Sequence, residues 1–327
     1  MYWSQLEKYF GQDVQLLYKN FDKNIFYRDS DIAQKIKSNN KIIFERFRNI
    51  CLNEKLPFVF HSSYYRYCKN KNAVNITTVH DFIYEYFRHD LKSKLHKTQK
   101  KNAIKNSHGV ICNSENTKKD LLIFCPDYKG MIKVIYSGLS EDYYCLDIPR
   151  KKNVIFIGAR TGYKNFDYSL ELIKKFPELK LQIVGGGELT EKEKMLLKNK
   201  IPNSYEYYCN LSNKELNLMY NEAKYLLYPS LYEGFGVPVV EAQAAGCPVV
   251  CCNVSSLPEV AGDAALYITG KNIEEDLGLI SSLDNIKVYT TYAKKGVDNC
   301  KKFSWKKCAE ETNNFYKEVY NSVYTEG

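Results

Sequence analysis

The stretch Tyr232 to Gly246, YEGFGVPVVEAQAAG, holds two carboxylates, Glu233 and Glu241, with seven residues between them and a Gly-Phe-Gly turn, Gly234 to Gly236, directly after the first. Two other stretches carry complementary chemistry. Arg160 and Lys164 in ARTGYKNF place two cations just before a helical pattern, and Gly185 to Gly187 follow the apolar run LQIV. All three loops fall where a strand hands over to a helix. Backbone N–H groups and positive helix ends then point to the same side as the two cations, which suits a diphosphate. Carboxylates accept hydrogen bonds from vicinal hydroxyls, so two of them flanking such a turn suit a ligand with a diphosphate centre and a sugar at each end. A nucleotide sugar has that shape. Each loop alone has a plainer reading: a tight turn for GGGE, a solvated pair for Arg160 and Lys164, a helix-capping acid for either glutamate. Pro238 suits a first helical turn, which puts Glu241 on that turn near the cleft while Glu233 ends the strand before it.

The elements that must position these loops alternate regularly. In the second half, VIFIGA (154–159), LKLQIVGG (179–186), YEYYCNL (205–211), KYLLYPS (224–230) and PVVCCNV (248–254) are separated by helical patterns such as NFDYSLELIKKF and SNKELNLMYNEA. Strands alternating with helices of this length imply βαβ crossovers and a parallel sheet. The first half does the same less regularly: FVFHSS (58–63), NITTVHDF (75–82), GVICNS (109–114) and KVIYSG (133–138) read as strands, and SENTKKDLL as a helix capped by Ser114. The pattern lapses at LSEDYYCLDIPRKK (139–152), a polar, proline-bearing linker. The expected fold class is therefore α/β, two Rossmann-like doubly wound domains facing across a cleft at the carboxyl ends of their strands.

Size fits that division, because 327 residues at 44% hydrophobic content can bury two cores of about 150 residues each. No apolar run approaches the roughly 18 to 20 residues that cross a bilayer, and MYWSQLEKYFGQDVQ lacks the succession of a signal peptide. The eleven cysteines are odd in number, contain no CxxC and sit partly in apolar runs such as PVVCCNV. They read as reduced thiols, which points to a cytoplasmic protein. Charge is uneven. Lys plus Arg against Asp plus Glu is 25 to 16 over residues 1–150 and 22 to 22 over 151–327, so the whole excess of +9 lies in the first half. Residues 88–105, RHDLKSKLHKTQKKNAIK, hold seven cations and one Asp. A solvated helix face explains them, and so does an anionic membrane surface at the inner face of the membrane. Nucleic acid is not expected, since no zinc knuckle, helix-turn-helix or RNA-binding aromatic signature accompanies the charge.

EGFGVPVVEAQAAGCPVV, followed by SSLPEVAGDAAL, closely resembles the signature of the retaining glycosyltransferases of family 4, which have the two-domain GT-B fold. FHSSYY, TVHDFIYE, ICNSENTKKDLL and KVIYSG are similar to that family's acceptor domain, IGARTGYKNF and LQIVGGG to its donor loops, and FSWKKCAEETNNFYKEVY to its closing helix. The resemblance implies an acceptor-binding domain over 1–145, a nucleotide-sugar donor domain over 146–305 and a helix over 306–327 crossing back to the first domain. It also implies roles. Glu233 would meet the hydroxyls of the donor sugar and Glu241 those of the ribose. Arg160 and Lys164 would neutralise the departing diphosphate, and the backbone of Gly234, Phe235 and Gly236 would meet phosphate or sugar. Gly185 and Leu211 would flank the base, and His80, in VHD, would face the reacting sugar. Without the resemblance, His80 and Asp81 could equally be a packed pair at a strand end.

No DxD-like pair stands beside these motifs, so transfer is expected to need no metal and no cofactor beyond the nucleotide-sugar donor. The wording GARTGYKNF is most similar to bacterial enzymes of O-antigen and capsule assembly, many of them mannosyltransferases. A hexose, mannose first, moved to a glycan or lipid-linked acceptor is the implied reaction. The alternatives are a non-catalytic, transferase-like subunit that supports a partner enzyme and, less favoured, an epimerase on the same fold. One departure is expected to matter. The family opens with a strand and a glycine-rich loop, whereas MYWSQLEKYF looks like the middle of the first helix, followed by the strand-like VQLLYKN. The expectation is a reading frame that starts further upstream.

Overall fold

The computed structural model describes residues 2–6, 8–10, 49–63, 65–160 and 162–324. The strand-like VQLLYKN lies outside them. Among the described residues the first unit contains α1 (Tyr2–Leu6), β1 (Phe58–Ser63), β2 (Ala73–Val79), α2 (Ile83–Phe87), α3 (Leu91–Lys105), β3 (Gly109–Cys112), α4 (Glu115–Phe124) and β4 (Met131–Val134). The strands pair in parallel in the order β1-β2-β3-β4. AVNITTV and GVIC are buried along their whole lengths, as central strands of a covered parallel sheet must be.

The second unit runs β5 (Asn153–Ile157), α5 (Phe166–Lys174), β6 (Lys180–Val184), α6 (Glu191–Lys200), β7 (Tyr205–Tyr208), α7 (Asn213–Glu222), β8 (Tyr225–Tyr228), α8 (Val237–Ala244), β9 (Val249–Cys252), α9 (Leu257–Ala261), β10 (Ala265–Ile268), α10 (Ile273–Ser281) and α11 (Ile286–Cys300). Its strands lie all parallel in the order β10-β9-β8-β5-β6-β7. Read from the other edge this is 3-2-1-4-5-6. Successive connections leave β5 and β8 on opposite sides, which opens a crevice at their carboxyl ends. β10 is not among the apolar runs singled out in the sequence, because ALYI is four residues long and begins behind Gly-Asp-Ala.

The segment 139–152 is less loose than its polar composition suggests. Asn213, Asn217 and Asn221, four residues apart, share one face of α7. Tyr143 Oη donates to Asn213 Oδ1 at 3.3 Å, Tyr144 N to Asn217 Oδ1 at 3.1 Å and Leu146 N to Asn221 Oδ1 at 2.7 Å. Arg150 then donates to the carbonyls of Tyr220 and Gly246, at 2.7 and 2.8 Å. After α11 the chain returns through Phe303, whose carbonyl accepts from Leu139 N at 3.1 Å, into α12 (Trp305–Tyr324). The buried face of α12, which includes Trp305, Cys308, Phe315 and Val319, joins Val74, Ile76, Ile111 and Ile135 in the core of the first unit. His61 on β1 ties that helix to β2, with Nδ1 2.5 Å from Tyr316 Oη and Nε2 2.7 Å from Thr78 Oγ1. Leu6 of α1 is buried in the same core. No described helix is long and apolar enough to cross a membrane. None of the eleven cysteines is bonded to another, and most are buried.

Candidate functional site

The crevice at β5 and β8 is where Lys164 and the first carboxylate gather. β5 is followed directly by Gly158 at φ +121°, and a short 3₁₀ turn, Gly162–Lys164, leads into α5. That turn folds the Lys164 side chain back across Gly158 toward β8. Its Nζ donates to Glu233 Oε1 at 2.6 Å and to Tyr228 Oη at 2.7 Å, and all three residues are buried. A buried ion pair stands only when its hydrogen bonds are satisfied, and Tyr228 supplies the additional partner. Tyr228 was not singled out in the sequence; its place as the last residue of the strand before YEGFG is the signal that could have found it.

Arg160 goes the other way. Its guanidinium donates to the carbonyls of Gly185 at 2.6 Å, Gly187 at 2.9 Å and Glu188 at 3.0 Å, and through Nε to Glu193 Oε1 at 2.8 Å. β6 and β8 flank β5 on either side. The two cations expected together on a diphosphate therefore straddle β5: Lys164 faces the β8 side, and Arg160 braces the triple glycine at the end of β6. The reason is the tight turn between them, which four residues of sequence spacing do not reveal. Glu193 also closes a capping box with Thr190 at the start of α6. Its carboxyl lies below the usual range, because Arg160 and Thr190 outweigh the upward push of burial.

Gly185, Gly186 and Gly187 all have φ between +75° and +78°. A Cβ on Gly186 would stand 2.5 Å from Gly158 O, so this position needs glycine for space as well as for conformation. Across a trans peptide the C=O and the following N–H point in opposite directions. With these three carbonyls drawn onto Arg160, the N–H groups of Gly186, Glu188 and Leu189 must face away from it. Tyr207 Oη fastens the same turn by donating to Gly187 O at 2.6 Å.

Pro238 sits in the first turn of α8, with Gly236 at φ +100° as its N-cap. Glu241 falls one turn further in than the sequence placed it. It is buried, and Tyr220 Oη donates to its Oε2 at 3.0 Å. Burial pushes its carboxyl up to about 7, against the lowering pull of the Tyr220 and Tyr143 hydroxyls. Phe235 plugs the junction between the two units, its ring edge-on to Phe303 at 5.4 Å and tilted against Tyr136 at 6.1 Å. Only its backbone can face a ligand. Leu211 packs on the same core as Val184, Tyr220 and Phe235, just before the Ser212 cap of α7. Gly185 N bonds Tyr208 O at 2.9 Å, which keeps the glycine turn beside the end of β7.

The first unit meets this site at Gly234, where a Cβ would come within 1.8 Å of His80 O. The structure thus brings the end of VHD against the Glu233 turn. The His80 ring makes an edge contact with Tyr2 at 5.3 Å, and burial lowers its pKa to about 4, Asp81 pulling the other way, so the imidazole is neutral at ordinary pH. Among the described residues no group of three or more His, Cys, Asp or Glu side chains is placed to hold a metal ion.

Residues 146–283 match the family of glycosyl transferases group 1. The chain is 40% identical over 106 residues to the O-antigen chain mannosyltransferase B of Escherichia coli, covering 32% of this chain and 28% of the relative. An uncharacterized glycosyltransferase of Methanocaldococcus jannaschii is 26% identical over 314 residues, 92% of this chain and 87% of that one. The chain thus spans about a quarter of the first relative and most of the second. Among solved structures, sucrose-phosphate synthase from Thermosynechococcus elongatus superposes with a TM-score of 0.67 at 16% identity, covering 81% of this chain and 74% of that one. Anabaena HepE in complex with UDP-glucose gives 0.62 at 17% identity, covering 77% and 72%. Residues 146–283 thus match the glycosyl transferases group 1, and the chain has the GT-B fold.

Proposed function

We propose that the protein is a retaining glycosyltransferase that moves a hexose, mannose first, from a nucleoside-diphosphate sugar to a glycan or lipid-linked acceptor in surface-polysaccharide assembly. The observation that carries this reading is the buried Lys164–Glu233 pair on Tyr228, at the crevice between β5 and β8. As the bond from sugar to diphosphate breaks, negative charge grows on the phosphate oxygens. Lys164 is the cation poised for it, already desolvated and needing little reorganisation. Glu233, released from Lys164, accepts from the sugar hydroxyls, and Glu241 from the ribose. The acceptor attacks from the face that the diphosphate leaves, and the departing oxygen takes its proton, so no protein nucleophile is needed. His80 would face the reacting sugar as a neutral hydrogen-bonding group. Arg160 is assigned to holding the glycine turn rather than to the phosphate.

The names of the E. coli relative and of a Salmonella typhimurium O-antigen chain mannosyltransferase, 24% identical over 214 residues, support mannose as the first sugar to try. The complex of the HepE structure with UDP-glucose supports a nucleotide-sugar donor. We assign the outer face of α3 to an anionic bilayer on the cytoplasmic side. Leu91 is 82% exposed there, and Lys92, Lys94, Lys101 and Lys105 are exposed, whereas Lys100 is buried and paired with Glu85 at 2.8 Å. The test is mass spectrometry of products formed from a panel of UDP- and GDP-sugars with a lipid-linked acceptor. A glycosylated acceptor with retained anomeric configuration is expected, in buffer containing a chelator. Nucleotide binding with no transfer from any donor would favour a non-catalytic subunit instead.

A further inference from the structure

Helix α4 of the first unit exchanges hydrogen bonds in both directions with the turn that carries Glu233. Ser114 is its N-cap, accepting from Thr117 N at 3.0 Å, and the same hydroxyl donates across the boundary to Gly234 O at 2.7 Å. Thr117 Oγ1 reaches that carbonyl at 3.2 Å. In return, Glu259 in α9 accepts from Glu115 N at 2.7 Å and Asn116 N at 3.3 Å. These are first-turn amides with no partner inside their own helix, and a carboxylate there is favoured by the helix dipole. One turn on, Asp120 accepts from Tyr232 Oη at 2.5 Å and from Tyr86 Oη at 2.7 Å, while Tyr232 Oη accepts from Phe82 N at 3.2 Å. Ser114, Thr117 and Asp120, three residues apart, form one buried stripe along α4.

The gripped turn has few anchors within its own unit. Ser255 Oγ accepts from Glu233 N at 2.8 Å, and Ser256 Oγ sits 2.9 and 3.0 Å from the carbonyls of Glu233 and Phe235. Gly234 O, between those two, takes both of its donors from the first unit among the described residues. That carbonyl therefore receives these donors only when the two units meet.

We propose that α4 is a positioning element for the reaction. On closure Ser114 and Thr117, with Glu259 as the returning half of the clasp, fix the Gly234 peptide and thereby the aim of the adjacent Glu233 carboxylate at Lys164. The effect on turnover rests on the glycosyl-transfer reading; the effect on closure does not.

Ser114→Asp separates the two jobs of one hydroxyl. Aspartate is as good an N-cap as serine, so α4 keeps its start. It has no proton to give Gly234 O at neutral pH, and it sets negative charge against that carbonyl and near Glu259. The expected result is an unchanged melting transition, an increased radius of gyration in solution scattering, UDP and GDP dissociation constants within about threefold of the parent, and kcat lowered about tenfold or more. Glu259→Gln keeps an acceptor oxygen but loses the charge, and should lower kcat by roughly two- to fivefold with a smaller change in scattering. Parental scattering and kcat in a folded Ser114→Asp protein would overturn the clasp, and so would an opened molecule with parental kcat. If Ser114→Asp fails to fold, parental scattering and kcat in Glu259→Gln overturn it instead. A parent that binds neither UDP nor GDP and transfers no sugar refutes the glycosyl-transfer reading alone, and the scattering comparison still decides whether α4 holds the units together.

Discussion

The molecule has two glycine turns at strand ends, and they are built on opposite plans. Among the described residues, Gly185 to Gly187 is braced from within its own unit, by Arg160, by the cap of α6 through Glu193 and by Tyr207. Gly234 to Gly236 is completed from outside, by Ser114, Thr117 and the carbonyl of His80. The first is a wall set before any ligand arrives. The second is assembled by the meeting of two units, so its geometry reports whether they have met. A group transferred between ligands on facing domains needs both: a fixed seat for one and a conditional contact for the other.

The largest effect is expected at the assembled turn. Glu233→Ala should lower turnover by at least about two decades, since a carboxylate paired in a desolvated site is worth on the order of 2 to 4 kcal/mol in the transition state. Steady-state kinetics with the preferred donor checks it, and normal turnover would remove Glu233 from the sugar subsite. Gly234→Ala comes next. Its Cβ meets backbone that cannot step aside, so the units should be held apart and turnover should fall about 10- to 100-fold. Isothermal calorimetry should still find UDP or GDP bound by the second unit alone; loss of that binding would mean that the two turns are not independent.

The preset turn should respond in stability before turnover. Arg160→Lys replaces a fork that serves several carbonyls and a carboxylate with one ammonium, and should cost about 2 to 3 kcal/mol in denaturant unfolding. A melting curve identical to the parent's would show that the guanidinium does not brace the turn. Glu241 offers a pH test of smaller size. With its carboxyl near 7 in the free protein, a ribose that needs the carboxylate must displace a proton at lower pH. Nucleotide affinity should therefore rise with pH up to about 7 and level off above it, by at most about tenfold per pH unit below that point. Calorimetry between pH 5.5 and 8 measures this, and in Glu241→Gln the slope should vanish while affinity stays low; an identical slope would assign the titration elsewhere. The smallest effect concerns α3. Co-sedimentation with liposomes should increase with anionic lipid and fall with salt, at roughly 1 kcal/mol per cation near the surface, and equal binding to neutral vesicles would return the helix to an ordinary solvated face.

Much of this architecture was legible because burial on both faces writes itself as continuous apolar runs. FVFHSS, GVIC and VVCC are strands within a residue or two of where their composition puts them. Ser114 was legible as a cap, but its second bond was not, since a hydroxyl's donor direction depends on what closes over it. Arg160 and Lys164 looked like partners because spacing carries no information about which side of a strand a loop residue returns to; a single 3₁₀ turn separates their fates. The polarity of 139–152 suggested freedom, whereas the asparagines that receive it are spread over nine residues of a helix far along the chain, Asn213 to Asn221. Glu241 was visible as an acid near a cleft, but not as one buried against a tyrosine.

That asparagine row has a mechanical consequence. With 142–150 fastened to α7, the connection between the units shrinks to the point where Leu139 pairs with Ser304, beside the Phe303 carbonyl that takes the Leu139 N–H. The two crossings of the chain lie zipped together there, and Gly138 presses so closely on Trp305 that no side chain fits between them. Such a joint behaves as a pin rather than a tether. A joint so pinned should restrict how the units move against each other, and lengthening the 142–150 loop is expected to leave the approach of Gly234 to the His80 carbonyl unchanged.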